Sequence, residues 1–168
     1  MNLSTAKIMA GVGLILGFFG AIPAVGWIFS LIGTIFFLMG IYNISQITGE
    51  RRIFNFLLIP AILLLIASFV YGVFLAAALF VGGIFASGVA LFGFLVIVVL
   101  GIVALVYKVK AYRLLAEVLK VPIFNIAASF YKWGAILMIV FGVGLILMFI
   151  GDILALIGFF SVPAREQA

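Results

Sequence analysis

Four side chains supply all the carboxylate in this chain: Glu50, Glu117, Asp152 and Glu166. It has no Cys and no His, which removes disulfides, thiolate nucleophiles, imidazole bases and the usual zinc sites together. Glu50, Glu117 and Glu166 neighbour cations at the ends of apolar runs, and Asp152 follows Gly151 where a turn is expected. None has a second carboxylate close in sequence, so catalysis by paired acids has no support. A solvated or structural role is the simpler reading of each, and no catalytic residue, cofactor site or metal site is predicted. Gly11-x-Gly13 lacks the strand before it and the acidic residue after it that a dinucleotide site needs.

Few other polar groups fall at membrane depth. Ser30, Thr34, Asn55, Ser68 and Tyr71 are the candidates, and hydroxyls on a helix often bond back to their own backbone. Asn125 and Ser129 precede an aromatic belt, Phe130-Tyr131-Lys132-Trp133, and read as interfacial. The basic residues Arg51, Arg52, Lys108, Lys110, Arg113 and Lys120 are candidates for lipid head groups, each cation being worth about 1 kcal/mol near an anionic surface. The simpler alternative is that they only set topology. Gly13-x-x-x-Gly17 and Gly26-x-x-x-Ser30-x-x-x-Thr34 are small-residue faces that let helices approach closely, either inside one bundle or at a homo-oligomer seam.

The elements that carry these residues are apolar throughout. Of 168 residues, 69% are hydrophobic and 8% charged, with a mean hydropathy of +1.59; a soluble domain usually carries about 25% charged residues. Residues 53–107 run for fifty-five positions without one Asp, Glu, Lys or Arg. One crossing of a hydrocarbon core about 30 Å thick takes about 20 residues, so this run must enter the membrane, turn and return. The net charge of +5 sits at the ends of apolar runs, which argues for membrane topology rather than nucleic acid.

In chain order, Ile8–Ile22 is the first segment, with Ser4 or Thr5 as its N-cap and a start reaching back toward Ser4. No A-x-A cleavage site follows, so it reads as a retained helix. A short uncharged turn around Pro23 leads to Val25–Tyr42, with Trp27 as an interfacial anchor. Gly49 is a natural stop after that helix. The third segment, Ile53 to about Leu79, contains Pro60, which predicts a kink. A turn is expected within Gly82–Gly88, then a fourth segment from Val89 to Tyr107.

Over residues 108–121 the pattern changes to an apolar stripe of Ala111, Leu114, Leu115, Val118 and Leu119 opposite charges that include an Arg113/Glu117 pair. This reads as a cytoplasmic amphipathic extension of helix four lying on the bilayer surface, ended by Pro122. The fifth segment spans the belt and Gly134–Ile150. Ile153–Ala164 either returns as a short sixth segment, the favoured reading, or extends the fifth and carries Asp152 into the bilayer. Lys7, Arg51, Arg52, the 108–120 cluster and Lys132 all fall on one side of a hairpin model, which places the N-terminus in the cytoplasm.

Gly11-Val12-Gly13-Leu14-Ile15-Leu16 recurs letter for letter as Gly142-Val143-Gly144-Leu145-Ile146-Leu147, and Phe18/Phe149 and Gly20/Gly151 match at the same offset. Taken as a repeat, both copies cross in the same direction, as parallel repeats about the membrane normal, and Asp152 aligns with Ala21 at an outer turn.

Leu3-Ser4-Thr5-Ala6-Lys7, Ile22-Pro23-x-x-Gly26-Trp27 and Gly158-Phe159-Phe160-Ser161-Val162-Pro163 resemble an uncharacterised family of small multi-pass membrane proteins, mostly archaeal with some bacterial members, known as a domain of unknown function. The resemblance implies a prokaryotic cell membrane and supplies no activity. The expected architecture is an all-α polytopic transmembrane bundle of helical hairpins, one domain over residues 1–168, with five to six membrane segments. The expected role is non-enzymatic: an oligomeric or accessory membrane component, with lipids and a homo-oligomer or larger membrane complex as partners and no nucleic acid. The alternative is a small transporter or channel for an apolar or lipid-like solute.

Overall fold

The apolar runs fold as helices, which satisfy their backbone within single segments. The computed structural model describes residues 2–22, 25–81, 83–141 and 144–163. They form six helices: α1 Leu3–Phe18, α2 Gly26–Thr48, α3 Arg51–Val81, α4 Gly83–Leu119, α5 Ile123–Phe141 and α6 Gly144–Ser161, with one 3-10 turn at Phe19–Ala21. No strand occurs among the described residues. Four helices, α2, α3, α4 and α6, are long and apolar enough to cross a membrane by length and composition. Glu166, Pro23, Gly82 and the Gly142-Val143 start of the second repeat copy lie outside the described residues.

Consecutive helices pair as three hairpins, α1–α2, α3–α4 and α5–α6. These pack side by side, and α1 closes the ring against α6. Buried side chains gather at one end, called the base, where α1, α3 and α5 start and α2, α4 and α6 finish. Ile41, Ile44, Ile53, Tyr112, Leu115, Phe124 and Phe159 form its core. The α3–α4 hairpin is much the longest. Its helices have 31 and 37 residues, about 46 and 55 Å at 1.5 Å per residue, and only their outer parts, around the exposed Leu79 and Phe80, extend past the other two hairpins.

Local signals explain most boundaries. The N-cap of α1 is Asn2, whose side chain accepts the Thr5 N–H at 2.9 Å; Ser4 and Thr5, the expected caps, lie inside the first turn. Gly49 ends α2 at φ 72, a left-handed conformation that glycine adopts without the Cβ clash. The α4–α5 connection uses Lys120 at φ 55, uncommon for a residue with a side chain. The third turn is tighter than expected, since α3 runs to Val81 and α4 starts at Gly83.

Three expectations change. Residues 108–119 continue helix four as expected, but their apolar stripe does not face a bilayer surface. They are the last third of α4 up to Leu119, and Ala111, Leu115, Ala116 and Leu119 pack into the base core. The apolar stripe is covered by protein instead of lipid head groups.

The break between the fifth and sixth helices does not fall at Gly151-Asp152. The fifth helix ends at Phe141 and the sixth begins at Gly144, which puts Asp152 in the middle of α6.

The parallel repeat does not survive. Lys7, near the start of α1, donates to the carbonyl of Val162 just past the end of α6, and a Cβ on Gly11 would meet the Phe160 ring. The two helices therefore run antiparallel. Phe18 and Phe149, equivalent in the repeat, pack edge-on with ring centroids 5.4 Å apart.

Candidate functional site

Asp152 is where the structure departs furthest from the sequence reading. From the middle of α6 its Oδ1 accepts a hydrogen bond from Lys108 Nζ of α4 at 2.8 Å and another from the Tyr131 hydroxyl of α5 at 2.5 Å. Lys108 Nζ also sits 4.1 Å from the centroid of the Tyr131 ring, within the range of a cation–π contact. An uncompensated charge in the middle of a membrane helix costs about 2.5–3.5 kcal/mol. Here each charge has its counter-ion, and Tyr131 adds a second donor.

The elements are shaped for this arrangement. Lys108 and Tyr112 are four apart on α4 and so share a face. The Tyr112 ring stacks on Tyr131 at 5.2 Å and on Phe124 at 6.0 Å, and Phe124 meets Phe159 edge-on at 5.0 Å. Gly151 lets α6 lie against this stack, since a Cβ there would come within 3.1 Å of the Tyr131 ring. Tyr112 is fully buried, and its hydroxyl interacts with that of Tyr131.

Beside the network opens a cleft of about 340 Å³ between α1, α2, α3, α4 and α6, with Lys108, Tyr112 and Asp152 contributing to its lining. Leu14, Phe37, Leu57 and Leu64 supply apolar wall. Ser30 and Thr34 also line it, and Thr34 spends its hydroxyl on the Ser30 carbonyl at 2.8 Å. Lys108 and Asp152 keep about a quarter of their side-chain surface open, 26% and 28%. An apolar cavity with a few convergent polar groups is the usual form of a small-molecule site, and 340 Å³ is near the small end of the range.

The predicted site residues divide among several places. Gly13 and Gly26 lie against backbone: a Cβ would come within 2.3 Å of Phe37 N at Gly13 and of Gly20 O at Gly26. A Cβ on Gly17 would meet nothing within 4 Å, and Gly17 lines the cleft with Ser30 and Thr34. Ser68, bonded to the Leu64 carbonyl, and Tyr71 are exposed on α3 away from the cleft. Asn55 is exposed near the base. Ser129 bonds back to the Asn125 carbonyl on the outside of α5.

Of the six cations proposed for head groups, Lys108 belongs to the internal network. Arg52 forms a forked pair with Glu50 at 2.7 and 2.8 Å, which holds the Glu50 carboxyl below its usual pKa. Lys110 and Arg113 line a groove together with Lys132, and Arg51 and Lys120 are exposed elsewhere. Arg113 and Glu117 form no ion pair. Among the described residues, no three His, Cys, Asp or Glu side chains come together as a metal site.

Tyr112, Tyr131 and the role of Asp152 were missed. The available signal was a lone acid inside an otherwise uncharged run from Trp133 to Pro163, matched by a lysine at the end of the 53–107 run. An intramembrane acid calls for such a partner.

Residues 29–153 match a protein family described as "Protein of unknown function (DUF996)", a stretch that includes all four residues of the network. An uncharacterized protein of Methanocaldococcus jannaschii is similar to the chain, 28% identical over 170 residues that cover 97% of this chain and 94% of the relative. No solved structure matches the chain.

Proposed function

The chain belongs to the DUF996 family of proteins of unknown function, and we propose that it is a non-enzymatic, multi-pass protein of the cell membrane that binds a small apolar solute bearing one polar group. The observation that carries this reading is the Lys108–Asp152 pair, about a quarter of each side chain open, in the lining of an otherwise apolar cleft. The apolar part of a ligand would take the walls near Leu14, Phe37 and Leu64. Its polar group would meet the open edge of the Lys108–Asp152 pair. The collection of cations toward the base, where α1 starts, supports an N-terminus on the cytoplasmic side.

The test uses detergent-solubilised protein and three probes of one chain length: hexadecane, hexadecanol and palmitate. Hexadecanol or palmitate is expected to raise the melting temperature and hexadecane is not. Gly17→Leu, which grows into open cleft space, is expected to abolish that shift and leave the unliganded melting temperature nearly unchanged. Equal stabilisation by all three probes, or an undiminished shift in Gly17→Leu, would overturn the reading.

One observation favours the alternative of an accessory component. A Cβ on Gly72 of α3 or Gly101 of α4 would meet nothing within 4 Å, so the long hairpin offers small-residue positions that no helix of this chain occupies. A stoichiometric partner retained through mild-detergent purification, found by mass determination, would support that role.

A further inference from the structure

A second concavity, independent of the cleft, lies on the outside of the bundle between α4 and α5, with a volume of about 410 Å³. We propose that it is a specific binding site for one anionic phospholipid of the cytoplasmic leaflet, with the phosphate held by Lys110, Arg113 and Lys132 and an acyl chain lying along Val106, Val109 and Ile136.

The polarity of the groove carries the argument. Along α4, Val106, Lys110 and Arg113 recur at four and three residues and so share a face. Along α5, Lys132 is followed at four residues by Ile136. The two helices are consecutive and joined through residues 120–122, so they run in opposite directions. The 110–113 end of α4 therefore meets the Lys132 level of α5, and Val106 meets Ile136. All three cations collect at the base end, and the apolar lining leads away from it toward the uncharged part of α4. A phospholipid has this same order of charge and chain.

The cations are also free to bind it. Among the described residues, no acidic side chain lines the groove, and none of the three cations forms an ion pair. Lys110 leans over the Tyr107 ring at 5.5 Å and Lys132 lies 6.0 Å from the Trp133 ring. Those contacts leave the ammonium donors uncommitted and set them at the level of an aromatic belt, where head groups lie.

The experiment measures retention of dioleoyl phosphatidylglycerol against dioleoyl phosphatidylcholine on the intact chain, by native mass spectrometry from detergent. The wild type is expected to prefer the anionic lipid. Each cation near a membrane surface contributes roughly fivefold, so Lys110→Gln, Arg113→Gln and Lys132→Gln combined should cut that preference by roughly a hundredfold. Ala135→Phe, which fills the groove and leaves every charge in place, should cut retention at least tenfold. Arg51→Gln with Lys120→Gln removes exposed cations elsewhere and should leave it nearly unchanged. The site is overturned if the triple variant keeps the preference, if Arg51→Gln with Lys120→Gln loses as much per charge, or if Ala135→Phe binds normally. Competition by glycerol 3-phosphate at the lipid's own concentration would also overturn it, because the apolar lining would then contribute nothing.

Discussion

At the residue scale, Lys108 and Asp152 are each tolerable because the other is present. Removing one partner of a buried pair strands the other charge, and replacing both with apolar groups often restores stability. Lys108→Met is expected to lower stability by about 2–3 kcal/mol, below the full range for buried pairs because a quarter of each side chain is open. Asp152→Leu should cost a similar amount. The double variant should recover most of the loss, and unfolding titrations in mixed detergent micelles would measure all three. Additive losses in the double variant would mean that the pair is not coupled. Tyr131→Phe should cost about 1.5–3 kcal/mol, the value of one hydrogen bond to a charged acceptor. The need for such a pair was legible in the sequence, since a lone acid in an uncharged run needs a cation. Its location was not. Twelve residues after Asp152 look like a returning half-hairpin, and that placed the carboxylate at a turn.

Between elements, glycine decides how closely the hairpins close, and it also explains why segment ends were hard to read. In water, glycine punctuates helices. In lipid it sits inside them, because breaking the helix would strand backbone groups with no solvent to bond. Gly134, Gly144 and Gly151 therefore gave no ranking of turn positions, and the α5–α6 break fell well before the expected Gly151. Gly49, followed by Glu50-Arg51-Arg52, was readable because the chain there leaves its apolar run. Gly13 and Gly17, one turn apart on α1, separate the two uses of glycine. At Gly13 an added methyl would lie 2.3 Å from Phe37 N and 2.6 Å from Gly33 O, and backbone on a facing helix cannot step aside. Gly13→Ala should destabilise by about 2–3 kcal/mol, the size of an overpacking penalty. Gly17→Ala meets open space and should be neutral or stabilise by up to about 1 kcal/mol through helix propensity. Thermal unfolding of the two variants under one detergent condition compares them directly. Similar losses at both positions would mean that α1 and α2 are not in backbone contact.

For the whole molecule, the helices differ in how much membrane they can span. α3 and α4, about 46 and 55 Å long, exceed a hydrocarbon core of about 30 Å, whereas α1 with 16 residues and α6 with 18 reach about 24 and 27 Å. Burial follows the same division. The core is at the base, and toward the tip of the long hairpin Phe69, Leu79 and Phe80 are 73%, 79% and 91% exposed. Lys110, Arg113, Lys132 and Trp133 lie at the edge of the base that faces the tip. If that belt marks the cytoplasmic edge of the hydrocarbon, the base stands in the interface, the α3–α4 hairpin makes the full crossing, and the α1–α2 hairpin ends inside the bilayer. The chain has no cysteine, so single substitutions give a clean label at any position. Arg51→Cys and Lys120→Cys should react with a membrane-impermeant maleimide only from the cytoplasmic face. Ser87→Cys, near the tip of the long hairpin, should react only from outside, and Val25→Cys, at the turn into α2, from neither. Labelling of Val25→Cys from outside would make α1–α2 a complete crossing and shift the belt deeper into lipid. Labelling of Arg51→Cys and Lys120→Cys from opposite faces would break the shared base on which the six-helix ring depends.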